Sequence, residues 1–451
     1  MSQSLESSRA LQQYVAQNAR SKAHAERARE YIPSGLSRGL LRHAPFPFYT
    51  ASGQGATTTD LDGNRRIDFH GNYSATIHGH AHPQITAAVA AQIPLGTAYS
   101  APPAQEAALA EHLCGRVPGV EQVVFNNSGS EAVMVAIRVA RAYTGRERLG
   151  MFEGCYHGST DFVLVGGHGL PAVDDPVRVS TPHEDMAGLP KSASEGAVLM
   201  RYNDPQAVID AVEQYGDEMA AILIEPILYA GGAVPADPEF LRVVREQTER
   251  KGIVLICDEV VTLRQAVGGA QAYYGIQPDL TTMAKIIGGG FPIGAVGGMK
   301  EYMKILNAPE DGGIVANLGT FSANPISTGA GLVAMELLDE AAIGELNRLG
   351  EMLRTGVGEV ITRHGVRAQV SGSGSLFQIH WTDVPISDAR GVETGSEELS
   401  LLTFIGLANR GIHTSARGIG CLSTPMGERE IDAFVAAFDD TVAEMKQENR
   451  L

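Results

Sequence analysis

The stretch Leu280-Thr-Thr-Met-Ala-Lys285-Ile-Ile-Gly-Gly-Gly290-Phe-Pro-Ile-Gly294 decides how the rest of the chain is interpreted. It places one lysine, Lys285, between the end of an apolar, β-prone segment and a run of three glycines. In so dry a setting the charged ammonium is destabilised, so the amine can lose its proton near neutral pH and form a Schiff base. The glycines allow the backbone to approach a bulky planar ligand closely.

A carboxylate upstream complements this lysine. The segment Ile253-Val-Leu-Ile-Cys-Asp258-Glu259-Val260 is a continuous apolar run that ends in acid, which predicts a buried parallel strand. Open α/β sheets bind their ligands at the carboxyl ends of such strands. Enzymes that use pyridoxal 5'-phosphate (PLP) need a lysine that reacts with the cofactor aldehyde and a carboxylate that pairs with its pyridinium nitrogen. Lys285 and Asp258 could supply these two groups. Alone, each residue has an ordinary interpretation as a surface lysine or a capping aspartate, but together they favour a site.

The composition is that of a soluble globular protein of roughly two or three domains. The chain has 451 residues, of which 44% are hydrophobic and 19% charged. A net charge of -17 provides no basic field for nucleic acid. The four cysteines have no paired spacing, which argues against disulfides and zinc. Because neither a signal peptide nor a membrane-spanning run is visible, we expect a cytoplasmic location.

From Gln122 onward, short apolar strands alternate with amphipathic helices, which predicts a mostly parallel sheet with crossover helices. Gln122-Val-Val-Phe125 predicts a strand, Asn126-Asn-Ser128-Gly129-Ser130 a turn, and residues 131–143 a helix. Free backbone N–H groups and a serine hydroxyl at a helix N-terminus make a ready phosphate site. Such turns are common, so this signal is weak alone.

Two further predicted strands end in groups that could contact a ligand. Gly150-Met-Phe-Glu-Gly-Cys-Tyr156-His157-Gly158 ends in an aromatic pair, whose rings can stack on a flat ligand or fill the core. Ala220-Ala-Ile-Leu-Ile-Glu225-Pro226 ends in a carboxylate that could equally be a simple strand terminator. His78-Gly-His80-Ala-His82 offers three imidazoles, but without an acidic or cysteine partner we favour a structural turn over a metal site.

The two ends of the chain predict a smaller domain. Residues 5–30 predict exposed helices, residues 36–48 an irregular arm, and residues 57–69 a hairpin around an Asp-Gly turn. Beyond residue 325 we expect two long helices, a strand over Gln369–Trp381 and a final helix over residues 428–448. The sequence therefore predicts an N-terminal arm and hairpin over 1–75, a large domain over 76–325 and a C-terminal domain over 326–451.

The order of these motifs resembles that of the class III (ω-type) aminotransferases of PLP fold type I over nearly the whole chain. The matching segments share both residue type and order: Asn127-Ser-Gly-Ser-Glu131-Ala, Glu153-Gly-Cys-Tyr156-His157-Gly158, Glu225-Pro226, Asp258-Glu-Val260, Lys285 before Ile-Ile-Gly-Gly-Gly, and Gly319-Thr320-Phe. The resemblance implies an α/β large domain with a mostly parallel seven-stranded sheet covered by helices, and a smaller α+β domain formed by both ends of the chain. It also implies a homodimer with active sites at the subunit interface.

The resemblance assigns roles to these residues. Lys285 would carry PLP as a Schiff base, and Lys285 and Asp258 would be the catalytic residues. Val260 and Tyr156 would sandwich the ring, and Thr320 would reach in from the partner subunit. The cofactor-binding residues implied are Gly129, Ser130, Tyr156, His157, Glu225, Asp258, Val260, Lys285 and Thr320.

Two branches of the class compete for this sequence. The pattern DEV-x-T-G-F-R of glutamate-1-semialdehyde aminomutase is replaced by Asp258-Glu-Val-Val-Thr-Leu263-Arg264, which lacks the Gly-Phe pair. The β-amino acid (β-phenylalanine) aminotransferases match better at Ser37-Arg38 and at Ala416-Arg417-Gly418. In that group such arginines bind substrate carboxylates, a role implied for Arg38 and Arg417. The turn Phe321-Ser-Ala-Asn324-Pro is closer to the aminomutase pattern.

The expected activity is therefore transamination from an amino acid, with a β-amino acid favoured, to a keto acid such as 2-oxoglutarate or pyruvate. The reaction would follow a ping-pong course through the Lys285 Schiff base. The alternative is glutamate-1-semialdehyde 2,1-aminomutase or a related PLP isomerase or racemase. Neither metal, nucleic acid nor membrane is expected as a partner.

Overall fold

A computed structural model describes residues 7–165, 175–180 and 187–451. The chain divides into two units. The large unit comprises Pro83–Gly344 and Ile386–Glu393, and the small unit comprises the segment up to His82 together with Glu345–Pro385 and Thr394–Leu451. The sequence placed the changes of domain at residues 75 and 325, whereas the units change at His82 and Gly344.

The large unit contains one sheet, in which the described residues form eight strands. In spatial order the strands are Gln122–Asn126, Gly294–Gly298, Leu280–Ala284, Val254–Asp258, Met219–Ile224, Arg148–Phe152, Ala197–Met200 and Val177–Val179. The second and the last of these run antiparallel to their neighbours, and the other pairings are parallel. The mostly parallel α/β sheet is confirmed, with one strand more than the seven predicted.

The central strands form because their side chains are apolar on both faces. Every residue of Met219–Ile224 and Val254–Asp258 is buried. Long helices with polar N-caps pack on the sheet: Gly129–Thr144, Pro205–Tyr215 and Pro238–Lys251. The caps are serine or aspartate side chains that accept hydrogen bonds from the first turn. Each strand–helix unit therefore leaves its loop at the carboxyl edge of the parallel strands.

The large unit contains further helices and turns. Its remaining α-helices include Pro83–Gln92, Ala104–Arg116, Asp161–Leu164, Lys191–Glu195, Gly269–Tyr274, Lys300–Met303, Pro325–Leu337 and Ala389–Glu393. Its 3₁₀ turns include Ile93–Leu95, Thr262–Arg264, Lys285–Gly288, Lys304–Leu306 and Pro309–Asp311, and Ile227–Leu228 pairs with Val234–Pro235. The helix Pro325–Leu337, which the sequence assigned to the C-terminal domain, packs inside the large unit. A Cβ on Gly331 of this helix would lie 2.0 Å from the carbonyl oxygen of Ile287, so small residues permit this close approach.

The small unit contains two antiparallel-rich sheets and long helices. One sheet orders the strands Thr50–Gln54, Thr57–Asp60, Arg65–Asp68 and Ile412–His413, and the other Gln369–Ser371, Leu376–His380 and Ile419–Cys421. The helices include Arg9–Gln17, Ala19–Ala28, Glu340–His364, which begins before residue 345, Glu397–Asn409 and Glu428–Gln447, with 3₁₀ turns Pro33–Gly35 and Gly39–Leu41. The hairpin predicted within residues 57–69 is confirmed.

One predicted strand of the small unit is wrong in its extent. The sequence predicted a single strand over Gln369–Trp381, but the structure has two antiparallel strands, Gln369–Ser371 and Leu376–His380. The chain reverses where Gly372 and Gly374 adopt positive φ values of 146° and 54°. The Ser-Gly-Ser-Gly-Ser composition of this segment is a turn signal, which outweighs the β-prone residues on either side.

The histidines near residue 80 have structural partners within the small unit. His80 Nε2 lies 2.8 Å from Asp68 Oδ2, and His78 Nδ1 lies 3.1 Å from the hydroxyl of Thr424. Among the residues that the structure describes, no cluster of histidine, cysteine or acidic side chains could hold a metal ion. None of the described helices combines the length and apolar character needed to cross a bilayer.

Candidate active site

Lys285 lies where the strand Leu280–Ala284 ends and a 3₁₀ turn begins. Its backbone has a φ of 52°, in the left-handed region that costs a non-glycine residue about 1–2 kcal/mol. Gly289 and Gly290 continue the turn with φ values of 59° and 96°. Such backbone strain persists only where the surrounding structure over-determines it, and it clusters at functional sites. The position of the Lys285 amine is therefore set by a strained turn at the edge of the sheet.

Asp258 ends the neighbouring strand and lies at the same edge. The two strands are parallel, and Asp258 pairs in register with Thr282, three residues before Lys285. Asp258 is 3% exposed and accepts hydrogen bonds from His157 Nδ1 at 2.8 Å, the Thr282 hydroxyl at 3.0 Å and the Val260 N–H at 3.1 Å. Hydrogen bonds to a carboxylate favour its charged form. The fold therefore brings together the predicted lysine and a buried carboxylate that accepts three hydrogen bonds.

His157 contributes a buried counter-charge to this carboxylate. Burial acts to lower the pKa of His157, but the hydrogen bond to Asp258 and the negative charge there outweigh it, so the pKa is raised. The Nε2 atom of His157 is buried and has no hydrogen-bond partner in the described parts of the chain. His157 was predicted as a cofactor-binding residue, and the contact that it makes in this structure is with Asp258.

Glu225 anchors the loop that carries Tyr156. Its Oε1 accepts a hydrogen bond from the Tyr156 N–H at 2.8 Å, and its Oε2 accepts one from the Tyr229 N–H at 3.4 Å. Burial raises the pKa of Glu225 to about 7, while the charge of His157 acts to lower it. Glu225 thereby fixes the backbone from which the Tyr156 ring projects, and that ring is 43% exposed.

The predicted phosphate turn lies beside the Asp258 and Lys285 strands. Ser128 caps the helix Gly129–Thr144 by accepting from the Glu131 N–H at 3.2 Å, and Glu131 accepts in return from the Asn127 N–H at 2.6 Å. A Cβ on Gly129 would lie 3.2 Å from Val260 and 3.4 Å from the Ala284 side chain. The turn therefore lies close to Val260, which follows Asp258 and Glu259, and to Ala284, which precedes Lys285.

Ser130 joins this turn to the Tyr156 loop. Its hydroxyl accepts a hydrogen bond from the Ser159 N–H at 3.1 Å. Gly158 has a φ of 102°, and a Cβ there would lie 2.6 Å from Ser130 Oγ, so the two loops approach as closely as only a glycine allows. The large unit therefore brings together the predicted lysine, carboxylate, aromatic ring and phosphate turn.

These residues fit PLP. The lysine amine suits an aldehyde, Asp258 is an anion for the pyridinium, and the helix N-terminus with Ser130 suits a phosphate. The cradle at Gly129, which a Cβ would fill, adjoins Val260. The individual contacts assigned to Val260, Tyr156 and the other residues stay predictions.

Thr320 lies in an exposed turn of the same unit. The turn is tied to the phosphate segment because Asn127 Nδ2 donates to the Ser322 hydroxyl at 3.5 Å. The predicted contact of Thr320 with the cofactor of a partner subunit stays a prediction.

Within the small unit, the two predicted substrate-binding arginines converge on Tyr73. The Cζ atom of Arg38 lies 5.7 Å from the centre of the Tyr73 ring. Burial raises the pKa of the Tyr73 hydroxyl, and the positive charges of Arg417 and Arg38 act to lower it. Both guanidinium groups therefore influence one side chain, although they are far apart in sequence. Carboxylate binding by either arginine stays a prediction.

Sequence reasoning missed Thr282 and the pair Asn72 and Tyr73. Thr282 could have been found, because parallel pairing of the two apolar strands places a residue near Lys285 directly beside Asp258. Tyr73 and Asn72 contact Arg38, but no motif in the segment His70–Ser74 marks them.

Comparison with known proteins agrees with this geometry. Residues 41–428 match the family described as "Aminotransferase class-III". Glutamate-1-semialdehyde 2,1-aminomutase of Methanothermobacter thermautotrophicus is 36% identical over 93% of this chain and 98% of its own. The solved structure of an omega-transaminase from Sphaerobacter thermophilus is 45% identical, with a TM-score of 0.90, over 94% of this chain and 98% of that one. A β-phenylalanine aminotransferase from Variovorax paradoxus is 33% identical, with a TM-score of 0.90, over 99% and 98%.

The fold and the site define a PLP-dependent enzyme of fold type I. The chain belongs to the class-III aminotransferase family. Both aminotransferases and aminomutases occur among its relatives, so the family includes both reactions considered from the sequence.

Proposed function

We propose that this protein transfers an amino group from an amino acid, with a β-amino acid favoured, to a keto acid such as 2-oxoglutarate or pyruvate. The observation that carries this proposal is that Arg38 lies over the Tyr73 ring and that the charges of Arg38 and Arg417 both act on the Tyr73 hydroxyl. Two guanidinium groups in one neighbourhood suit a substrate pair in which both donor and acceptor carry carboxylates. The likeness to an omega-transaminase and to a β-phenylalanine aminotransferase supports it.

The residues of the large unit supply the acid–base chemistry. When bound, PLP supplies an aldehyde and an electron-withdrawing ring. Lys285 would hold PLP through Nζ, and the amine, once released by the substrate, would accept the proton from the substrate carbon that bears the amino group. Asp258, which accepts hydrogen bonds from His157 and Thr282, would pair with the pyridine nitrogen and favour its protonated form. Gly129 and Ser130 bind the phosphate.

The arginines supply orientation. A guanidinium group binds a carboxylate through two parallel hydrogen bonds, which fixes the angle as well as the position of the substrate. In a β-amino acid the carboxylate is one carbon further from the amino-bearing carbon than in an α-amino acid. We assign the binding of substrate carboxylates, whose distance from that carbon differs between donor and acceptor, to Arg38 and Arg417 together.

Glutamate-1-semialdehyde 2,1-aminomutase is the second candidate. It is supported by curated relatives of that name at 36% identity over nearly the whole chain. The segment Phe321–Pro325 also resembles the aminomutase pattern. An aminomutase moves the amino group within one substrate and needs no keto acid acceptor.

Absorbance of the purified holoprotein distinguishes the two candidates. With β-phenylalanine alone, an aminotransferase loses the visible absorbance of its cofactor and regains it only after 2-oxoglutarate is added. An aminomutase converts glutamate-1-semialdehyde at an undiminished rate without a second substrate. Multiple turnovers on the semialdehyde alone, together with no response to β-phenylalanine, would reject the aminotransferase proposal.

We also propose a homodimer with active sites at the subunit interface. Thr320 is exposed and lies near Leu318 and Phe321, which are 81% and 59% exposed apolar side chains. Apolar side chains so exposed suit burial against a second copy of the chain. Sedimentation velocity tests this state, and a monomer at micromolar concentration that is fully active would contradict it. The cytoplasmic location stays a prediction.

A further inference from the structure

A left-handed turn in the small unit is unusual for its composition. Gly71, Asn72, Tyr73 and Ser74 have consecutive φ values of 53°, 51°, 54° and 70°. Residues other than glycine enter this region as single residues, because the Cβ crowds the following carbonyl oxygen. Here three non-glycine residues adopt it in succession. A conformation this unfavourable persists only when the surrounding structure imposes it.

The surroundings of the turn do impose it. Asp68 Oδ1 accepts hydrogen bonds from the N–H groups of His70 and Gly71, each at 3.0 Å. The Tyr73 N–H donates to His70 Nδ1 at 3.3 Å. A Cβ at Gly71 would lie 2.9 Å from the sulfur of Cys421, so this position has room only for glycine. The turn is thus held from the strand before it and from the neighbouring sheet of the small unit.

The turn presents two side chains to Arg38. Arg38 Nη1 donates a hydrogen bond to Asn72 Oδ1, and its guanidinium group lies over the ring of Tyr73. The Tyr73 hydroxyl donates to the carbonyl oxygen of Leu40 at 2.9 Å, which ties the arm to the same turn. In a right-handed turn these successive side chains would point in other directions. The strained backbone therefore serves the placement of one arginine.

The partner of Arg38 is neutral. An amide oxygen orients a guanidinium group by accepting one hydrogen bond, but unlike a carboxylate it leaves the positive charge uncompensated. Within the described ranges, Arg38 has this amide as its hydrogen-bond partner and no carboxylate at ion-pair distance. The charge of Arg417 acts on the same tyrosine. Arg38 is thus oriented and still cationic, which is the state that favours an incoming anion.

We propose that Asn72 is a positioning residue that sets carboxylate specificity, by holding Arg38 as an oriented and uncompensated cation for the substrate carboxylate. The inference rests on the proposed function and deepens it, because it names donors that carry a carboxylate as the preferred substrate class. Asn72 acts through Arg38 and needs no contact of its own with the substrate. An acidic residue at this position would occupy the arginine and compete with the substrate.

Carboxylate binding by the holoprotein tests the inference without turnover. Isothermal titration with glutarate is measured for the unsubstituted protein, Asn72→Asp and Asn72→Gly. We expect Asn72→Asp to raise the Kd about tenfold or more because it neutralises Arg38. Asn72→Gly should raise the Kd about threefold, because it removes one neutral hydrogen bond while leaving the charge. Its Tm should not fall, because glycine adopts a positive φ without strain.

Asn449→Gly is the matched control. Asn449 has a φ of 55°, follows the helix Glu428–Gln447 and is exposed, so the substitution relieves the same backbone strain at a distant place in the sequence. It should leave the Kd for glutarate unchanged. A purely structural role for Asn72 would give Asn72→Gly the same Kd as this control.

Steady-state kinetics supply the second measurement. The ratio of KM for β-phenylalanine to KM for 1-phenylethylamine, which lacks a carboxylate, should rise about tenfold in Asn72→Asp. The inference is overturned if glutarate does not bind the unsubstituted protein or binds all variants equally. Absence of transamination with both donors, together with the expected order of glutarate Kd values, would reject the proposed function and support the inference about Asn72.

Discussion

His157 Nδ1 and Asp258 Oδ2 lie 2.8 Å apart in the large unit, and both side chains are buried. A lone buried carboxylate would take up a proton rather than remain charged. The carboxylate raises the pKa of the His157 imidazole, which favours a positive charge opposite Asp258. The two residues form a charge-balanced pair, and the Thr282 hydroxyl and the Val260 N–H complete the shell around Asp258.

Lys285→Ala should abolish the visible absorbance of the purified holoprotein and reduce turnover by a factor of about 10³ or more, because it removes both the attachment point and the proton carrier. Absorbance spectra and single-turnover rates measure the two effects. Lys300→Ala, which changes an exposed lysine at the start of a helix in the same unit, is the control. Retention of an imine-like absorbance in Lys285→Ala would assign the attachment to another residue.

Asp258→Asn should lower kcat by about 10²-fold or more and weaken cofactor retention, because an amide preserves the shape of the side chain but cannot hold a pyridinium. It should also lower the pKa of His157, which the Asp258 carboxylate raises. Turnover, cofactor loss on dialysis and the NMR titration of the imidazole are the measurements.

Thr282→Val separates the effect of the hydrogen bonds to Asp258 from the effect of its charge. It removes one of the three hydrogen bonds to Asp258 while the charge remains, so kcat should fall far less than in Asp258→Asn. Equal losses in both variants would mean that the hydrogen-bond shell, rather than the negative charge, dominates the function of Asp258.

Glu225 should make the stability of the protein depend on pH. Burial raises its pKa from 4.5 to about 7, so the folded state binds the proton more tightly than the unfolded state. The stabilisation is therefore fully present below pH 4.5 and is lost as the pH rises through about 7. The free energy of unfolding should fall by at most about 1.4 kcal/mol per pH unit in this window.

Glu225→Gln tests this dependence. Glutamine cannot ionise, so the slope of Tm against pH between about 5 and 7 should be shallower than in the unsubstituted protein. Its carbonyl oxygen can still accept the hydrogen bond from the Tyr156 N–H. Parallel curves for the two proteins would show that Glu225 does not titrate in this range.

The sequence predicted correctly that Lys285 and Asp258 lie at the ends of neighbouring strands at one edge of the sheet. Asp258 ends a continuous apolar run and Lys285 follows a β-prone segment, and such segments form buried parallel strands whose ends meet at one edge. The antiparallel direction of Gly294–Gly298 was not predicted, because a strand made of small residues carries no signal of its direction.

The turn that holds Arg38 could not be predicted from the sequence. Within Gly71–Ser74, Gly71 and to a lesser degree Asn72 tolerate a positive φ, whereas Tyr73 and Ser74 favour right-handed or extended backbone. Asp68, which precedes the run, holds its first N–H groups, and Cys421, which is remote in the sequence, packs closely against Gly71. Packing against residues that are remote in the sequence can therefore override the local conformational preference of the backbone.

Gly331→Ala should disturb the lysine turn from a neighbouring helix. A Cβ at this position would lie 2.0 Å from the carbonyl oxygen of Ile287, a backbone atom in the turn that begins at Lys285. Neither the helix nor the turn can yield cheaply, so the substitution should cost about 1–3 kcal/mol of stability. It should also reduce the visible absorbance of the holoprotein, because the shift of the turn moves the amine.

Gly329→Ala is the control in the same helix, Pro325–Leu337. The nearest atom to a Cβ there is the Gln105 side chain at 3.8 Å, an ordinary contact. Without a clash, alanine should stabilise the helix by up to about 1 kcal/mol through its higher helix propensity. Chemical denaturation and cofactor absorbance of both variants give the measurement. If Gly331→Ala were as stable as Gly329→Ala and retained full absorbance, the close packing of this helix on the Lys285 turn would not position the amine.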